Sequence, residues 1–191
     1  IEHLDSVDVN DLKQFFMRWY GPNNATLTIG GDVDPKEVLK LAEKYFGPIP
    51  IGPKVDNMPK MVPQLTETRY ISMADNIRFP MLQIVFPSVA MGNSDEAALD
   101  VLTTILADAK SSPFYQAFVK SQIANQAMMY NSTSELSGEL TISVRAFPDK
   151  KLSDVDALIW KTLADWETKG ISDEDMQRAK AQIETGFIQA L

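Results

Sequence analysis

The chain contains no cysteine, which removes two devices at once: a disulfide framework and a thiolate ligand to a metal. Reducing and oxidising compartments both tolerate such a chain, so the absence assigns no location. Histidine is nearly as scarce. The single one, His3, has no partner, whereas a catalytic zinc centre needs about three nitrogen or oxygen ligands at set spacing and an open position for water. His3 therefore reads as a solvent-facing residue near the chain start. The sequence offers no catalytic residue, no metal ligand set and no cofactor-binding motif. Positive charge is short as well. With 18 Lys+Arg against 26 Asp+Glu the formal charge is -8, the wrong sign for nucleic acid, which would meet a basic face. Long apolar runs are missing too. None approaches the ~18 residues of a spanning helix, so membrane insertion is not expected.

What is present is ordered punctuation. The 191 residues suit a single domain, 1–191, able to bury roughly 70% of its unfolded surface. Asp8 or Ser6 can cap a helix in which Val9, Leu12, Phe15, Phe16 and Trp19 recur at helical spacing. Gly21, Pro22, Asn23 and Asn24 then stop it, since glycine and asparagine tolerate positive φ and proline brings no amide donor. Ala25 to Ile29 alternates with period two and predicts a half-buried strand ending at Gly30, Gly31 and Asp32. Asp34 caps the next helix, Pro35 suits its first position, and Val38, Leu39, Leu41, Ala42, Tyr45 and Phe46 form its apolar face before Gly47 and Pro48.

Pro48, Pro50, Pro53, Pro59 and Pro63 exclude a helix from 48–66, which reads as an internal connector. Arg69 to Met73 and Met81 to Phe86 read as strands. The second is apolar enough to be central, and Pro80 and Pro87 bracket it. Asn93, Ser94 or Asp95 can cap a helix carrying Ala98, Leu99, Leu102, Ile105 and Leu106. Ser111 or Ser112 can cap another with Pro113 at its first position. Gln126 to Ser132 and Glu139 to Phe147 predict antiparallel neighbours joined by Thr133 to Gly138, with Leu140, Ile142, Val144 and Ala146 pointing inward. A long helix bearing Val155, Leu158, Ile159, Leu163 and Trp166 ends near Gly170, and Ser172 caps the last with Asp175 at the capping-box position. The order αβα, ββ, αα, ββ, αα predicts an α+β fold, a mainly antiparallel sheet with helices packed on one face. The two ββαα units hint at recurrence, but no motif repeats at a fixed period. Because the chain opens on Ile1 and its last helix runs through Ile183, Phe187, Ile188 and Leu191 without a stop signal, an excerpt of a longer protein is expected.

Taken together these features resemble the second, C-terminal-type, non-catalytic domain of the pitrilysin/insulinase family of zinc metallopeptidases. That module has an aromatic-rich helix, a Tyr-x-Pro-Asn-Asn turn, a strand ending Gly-Asp and a helix ending Tyr-Phe-Gly. Here the matching residues are Tyr20, Pro22, Asn23, Asn24, Gly31, Asp32, Tyr45, Phe46 and Gly47. Asp100, Val101, Leu102, Leu106, Ser111, Ser112 and Phe114 resemble the family's next helix pair, and Gly170 to Lys180 its closing helix start, so the likeness covers nearly the whole chain. It implies the metallopeptidase-half fold of the mitochondrial processing peptidase type. It also implies zinc for the parent protein, bound on a homologous partner domain outside this chain, and unfolded peptide as substrate. The family's inverted His-x-x-Glu-His signature is absent here. Active relatives also carry, on a later domain, an arginine and then a tyrosine that hold substrate near the scissile bond. Laying that pattern on Ser111 onward puts Val119 at the arginine and Gln126 at the tyrosine. Valine has no charge and glutamine no phenolic donor, so those transition-state contacts are missing. Tyr130, four residues on and on the same side of a strand, offers a shifted tyrosine but no arginine.

Weaker patterns have bland readings. Gly30, Gly31 and Asp32 between strand and helix suggest a phosphate loop, but the glycine spacing fails and Asp32 and Asp34 would repel an anion. The acidic run Asp173, Glu174 and Asp175 sits where a helix N-terminus favours negative charge. Among nine methionines, Met128 and Met129 suit either an adaptable peptide-binding wall or core filling. Asn131, Ser132 and Thr133 form a glycosylation sequon. The expected function is that of a non-catalytic domain enclosing peptide in a chamber opposite a zinc-bearing domain, with an acidic interior favouring basic peptides. The alternatives are a silent structural or assembly subunit of the same fold, as in respiratory complexes, and a self-contained peptide-binding module using a sheet edge.

Overall fold

A computed structural model describes residues 6–190; His3 lies outside them. The chain divides between Met58 and Pro59 into two compact units, a boundary that falls inside the proline-rich run 48–66.

In the first unit, helix α1 (Val9–Trp19) starts where a capping box dictates. The Asp8 carboxylate accepts from the Asn10 and Asp11 amides at 2.6 and 2.9 Å, and the Asp11 carboxylate accepts the Asp8 N–H at 3.0 Å. A 3₁₀ turn, Pro22–Asn24, follows. Its asparagines work differently from the positive-φ role expected of them: neither adopts positive φ. The Asn24 carboxamide donates to the Trp19 carbonyl at 2.8 Å and closes the end of α1. The Asn23 carboxamide accepts from Gly52 N–H at 2.8 Å and donates to the Pro53 carbonyl at 3.1 Å. Gly21 is needed where these strands of chain close up, because a Cβ there would lie 2.7 Å from Asn23 Oδ1 and 3.0 Å from Gly52 N. Helix α2 (Pro35–Phe46) begins with Asp34 accepting from Lys36 N–H at 2.8 Å and Pro35 at its first position. The strand expected over Ala25 to Ile29 is a correction. Ala25 is extended, but no ladder includes this segment. Alternation decides which side chains share a face, whereas a strand is completed by hydrogen bonds from a neighbour that the local pattern does not choose.

The second unit is built on a three-stranded antiparallel sheet, β1 (Met81–Ser88), β2 (Ala124–Thr133) and β3 (Gly138–Ala146), in the order β1-β3-β2. Two expectations change here. β1 is an edge strand, not a central one, and it continues through Pro87 opposite Glu139, since an edge tolerates a residue without an amide donor. Arg69 to Met73 forms no strand, and Tyr70 is 92% exposed. The predicted β2–β3 hairpin forms, in unbroken register from Gln126 to Thr133, with Met129 opposite Ile142 and Ala127 opposite Val144.

The face of β3 carrying Ile142, Val144 and Ala146 is buried as alternation predicts. Against it pack Val155 and Ile159 of α4 (Leu152–Lys169), with Leu106, Phe114 and Phe118. The last three come from a helical region that departs from α geometry. α3 (Glu96–Thr103) widens into a π turn, Thr104–Asp108, and Tyr115–Lys120 is a second π-helix. The Ser112 hydroxyl accepts from Tyr115 N–H at 3.2 Å just ahead of that helix, as its capping role requires. Gly170, at φ 75°, ends α4, and α5 (Asp173–Gln189) begins at the Ser172 cap.

Candidate functional site

The face of the sheet opposite the core carries Gln126 and Tyr130, two of the positions singled out in the sequence. Along it run Gln126, Met128 and Tyr130 on β2. Arg145, Ser143 and Thr141 of β3 lie beside them, then Met81, Gln83 and Val85 of β1. Met81, Val85, Met128 and Tyr130 keep between 37% and 47% of their surface exposed. In the middle, Thr141 is fully buried between Val85 and Tyr130, and its hydroxyl has no hydrogen-bond partner among the described residues.

Tyr130 does share a face with Gln126, and a bulge between Ala124 and Gln126 precedes them. Gln126 is exposed and stands opposite Arg145. Val119 belongs to a different element, the π-helix Tyr115–Lys120, and packs half-buried against the core. An arginine at 119 would therefore start from an apolar environment, so the two positions are not joined into one polar site. Among the described residues no group of three or more His, Asp or Glu side chains could hold a metal ion. The residues described here thus do not fit the zinc that the family resemblance implies for the parent. No helix among them is long and apolar enough to cross a membrane.

Two polar networks hold this framework; of their members, sequence spacing signalled only the Ser172–Asp175 pair. The Ser88 hydroxyl donates to Asn131 Oδ1 at 2.7 Å, and Asn131 Nδ2 donates to Asp100 Oδ1 at 3.1 Å. Beside them the Thr133 hydroxyl donates to Glu96, whose other oxygen accepts Gly92 N–H at 2.7 Å. The Thr133 and Gly92 bonds, helped by the Lys60 charge, hold the Glu96 carboxyl below its usual range. Asn131 of the sequon is thus a structural tie between β1, β2 and α3. Met129 fills the core while Met128 lies on the open face, so the two readings of the methionine pair split by alternation.

The second network joins α5 to the turn before the second π-helix. Arg178 donates to the Ser111 hydroxyl and pairs with Asp175. The Asp175 carboxylate also accepts from Ser172 Oγ at 2.6 Å, and that bond, with the Arg178 and Lys169 charges, holds its carboxyl below the aspartate range. A depressed folded pKa supplies stability that is full above the ordinary aspartate value of about 3.9 and is lost as pH falls through the lower folded value. Ser172→Ala is therefore expected to cost about 1 kcal/mol at pH 7 through loss of the cap. Its deficit should narrow below about pH 4, where wild type loses the Asp175 contribution as well. Urea unfolding at pH 7 and pH 3 checks this, and a deficit unchanged between them refutes the role given to Asp175.

A family model described as the peptidase M16 inactive domain matches residues 6–183. The zinc protease PqqE of Helicobacter pylori is 22% identical over 198 residues, covering 100% of this chain and 44% of that protein. The crystal structure of a protease from Helicobacter pylori superposes with TM-score 0.75 at 22% identity, over 98% of this chain and 46% of that one. A chain of complex III2 from Candida albicans superposes with TM-score 0.74 at 17% identity, over 98% of this chain and 46% of that one. The metallopeptidase-half fold is thus shared across both, and the chain spans less than half the length of each relative.

Proposed function

The chain belongs to the peptidase M16 inactive domain family, and from that premise we propose that it encloses unfolded peptide against a zinc-bearing homologous half, contributing no catalytic group of its own. The observation that carries this reading is the residue pair at the family's substrate-holding positions. Val119 is turned to the core and Gln126 is exposed without a charge, so neither can stabilise a tetrahedral intermediate. What this half can supply is wall. The open sheet face sets the adaptable Met81, Val85, Met128 and Tyr130 among the polar Gln83, Gln126, Ser143 and Arg145, a mixed surface suited to an extended chain. The net charge of -8 biases such an enclosure toward basic peptides.

The purified chain, supplied with zinc and an unfolded peptide, is expected to cleave nothing. Chelator-sensitive cleavage by this chain alone would overturn the assignment. The parent sequence gives an independent check: if the preceding ~200 residues, one domain of ordinary length, carry no His-x-x-Glu-His, the reading as part of a peptidase fails.

A further inference from the structure

Two charged side chains stand on the open face of the sheet, both on the central strand β3: Arg145 at one end and Glu139 at the other. Six residues separate them, about 20 Å of strand, well beyond the ~8 Å Debye length of physiological salt, so each acts on its own surroundings. Arg145 is flanked by Met81 on β1 and Gln126 on β2. The next residue of β3 on that face, Ser143, lies between Gln83 and Met128. Arg145, Gln126 and Gln83 are exposed and Ser143 is half-buried. Among the described residues none of these four makes a hydrogen bond or ion pair through its side chain. This end of the face is therefore a guanidinium, two carboxamides and a hydroxyl, all able to donate, with no acid among their neighbours in the register. Along β3 the short Ser143 and Thr141 run between the longer Gln83, Met128 and Tyr130, a trough that leads to Arg145, and the Thr141 hydroxyl on its floor also lacks a partner.

We propose that this end of the face binds a carboxylate of the enclosed peptide, from its C-terminus or from an acidic side chain, held by Arg145 with Gln126, Gln83 and Ser143 as further donors. The inference rests on the enclosing role above and gives it a point of attachment. A carboxylate fits because its two oxygens accept the paired N–H groups of a guanidinium and keep lone pairs for neutral donors. The net charge of -8 repels a carboxylate in general, which makes Arg145 the place on this face where one is drawn in. A cationic group here would be repelled, and an apolar one would leave Arg145 without a counter-charge.

The test titrates the 191-residue chain by calorimetry with acetyl-GSVTVSG bearing a free carboxylate and with the same peptide as its amide. Wild type is expected to bind the free acid about fivefold more tightly, the upper scale of an exposed ion pair. Arg145→Gln, which keeps a hydrogen-bonding side chain and removes the charge, should bring the two peptides within about twofold of each other. Arg145→Lys should keep part of the preference, as a point charge without the fork. Lys161→Gln makes the same change in net charge on α4, which packs against the other face of the sheet, and should leave the preference intact. Circular dichroism confirms that all three variants fold. An amide peptide ending in glutamate identifies the source. Binding like the free acid assigns the site to any carboxylate at that end, binding like the plain amide assigns it to the terminus, and the site stands either way. If both peptides bind saturably but equally, or if Lys161→Gln erases the preference as fully as Arg145→Gln, the carboxylate site fails and the enclosing role stands. Absence of saturable binding by either peptide overturns both.

Discussion

Replacing Phe118 by alanine is expected to destabilise the chain by about 3–5 kcal/mol, the range for emptying a large buried aromatic site. The ring has no exposed surface, and its centroid lies 5.5 Å from that of the equally buried Phe114. Both belong to the cluster closed by Ile142, Val144, Val155 and Ile159. The surrounding elements cannot collapse readily into the gap. The sheet is held by its ladders on one side and Phe118 sits within a π-helix on the other, so most of the cavity cost should persist. A domain is typically stable by only 5–15 kcal/mol, so the variant should lose much of its margin. Urea unfolding of this variant beside Phe187→Ala, whose parent ring is 68% exposed, gives the comparison. The exposed change should stay within about 0.5 kcal/mol. A cost for Phe118→Ala below about 1 kcal/mol would place that ring outside the core.

Adding a single methyl group at Gly138 should be nearly as damaging, about 1–3 kcal/mol, by overpacking. Gly138 opens β3 and faces Ser88 on one side and Thr133 on the other. A Cβ there would stand 2.3 Å from the Val89 carbonyl oxygen and 2.9 Å from that of Ser132. Both obstacles are backbone, so no side chain can rotate away and the end of the sheet must open. The same change at Gly186 should instead stabilise α5 by about 0.5–1 kcal/mol, because space is free there and alanine favours a helix. Thermal unfolding of the two variants side by side should move the midpoint in opposite directions; equal shifts would contradict the packing at Gly138.

Much of the fold was legible before any coordinates. Asp8, Asp34, Ser112 and Ser172 announce helix starts because a side-chain oxygen satisfying an amide two or three residues away is a local event. The buried face of β3 followed from alternation, and the β2–β3 hairpin from two such runs joined by a polar turn. The edge position of β1 was not legible, because an apolar run reports burial and not which neighbours hydrogen-bond to it. The π turns escaped for a related reason: one extra residue per turn leaves the apolar spacing close to α, and the wider turn is decided by packing of Ile105 and Leu106 into the core.

The candidate site divides the same way. The absence of a histidine set and the identities of Val119 and Gln126 could be read from residue types alone, since chemistry that needs an imidazole or a guanidinium cannot be done without one. That Val119 packs against the core and that Asn131 is tied to Ser88 and Asp100 both depend on residues far apart in the chain. By itself, then, the sequence determined where helices begin, which strand faces turn inward and which chemistry is missing, because those follow from interactions within a few residues and from side-chain functional groups. Only the tertiary structure decided strand order, the π geometry and which polar groups find partners, because each is a choice among distant neighbours made by packing.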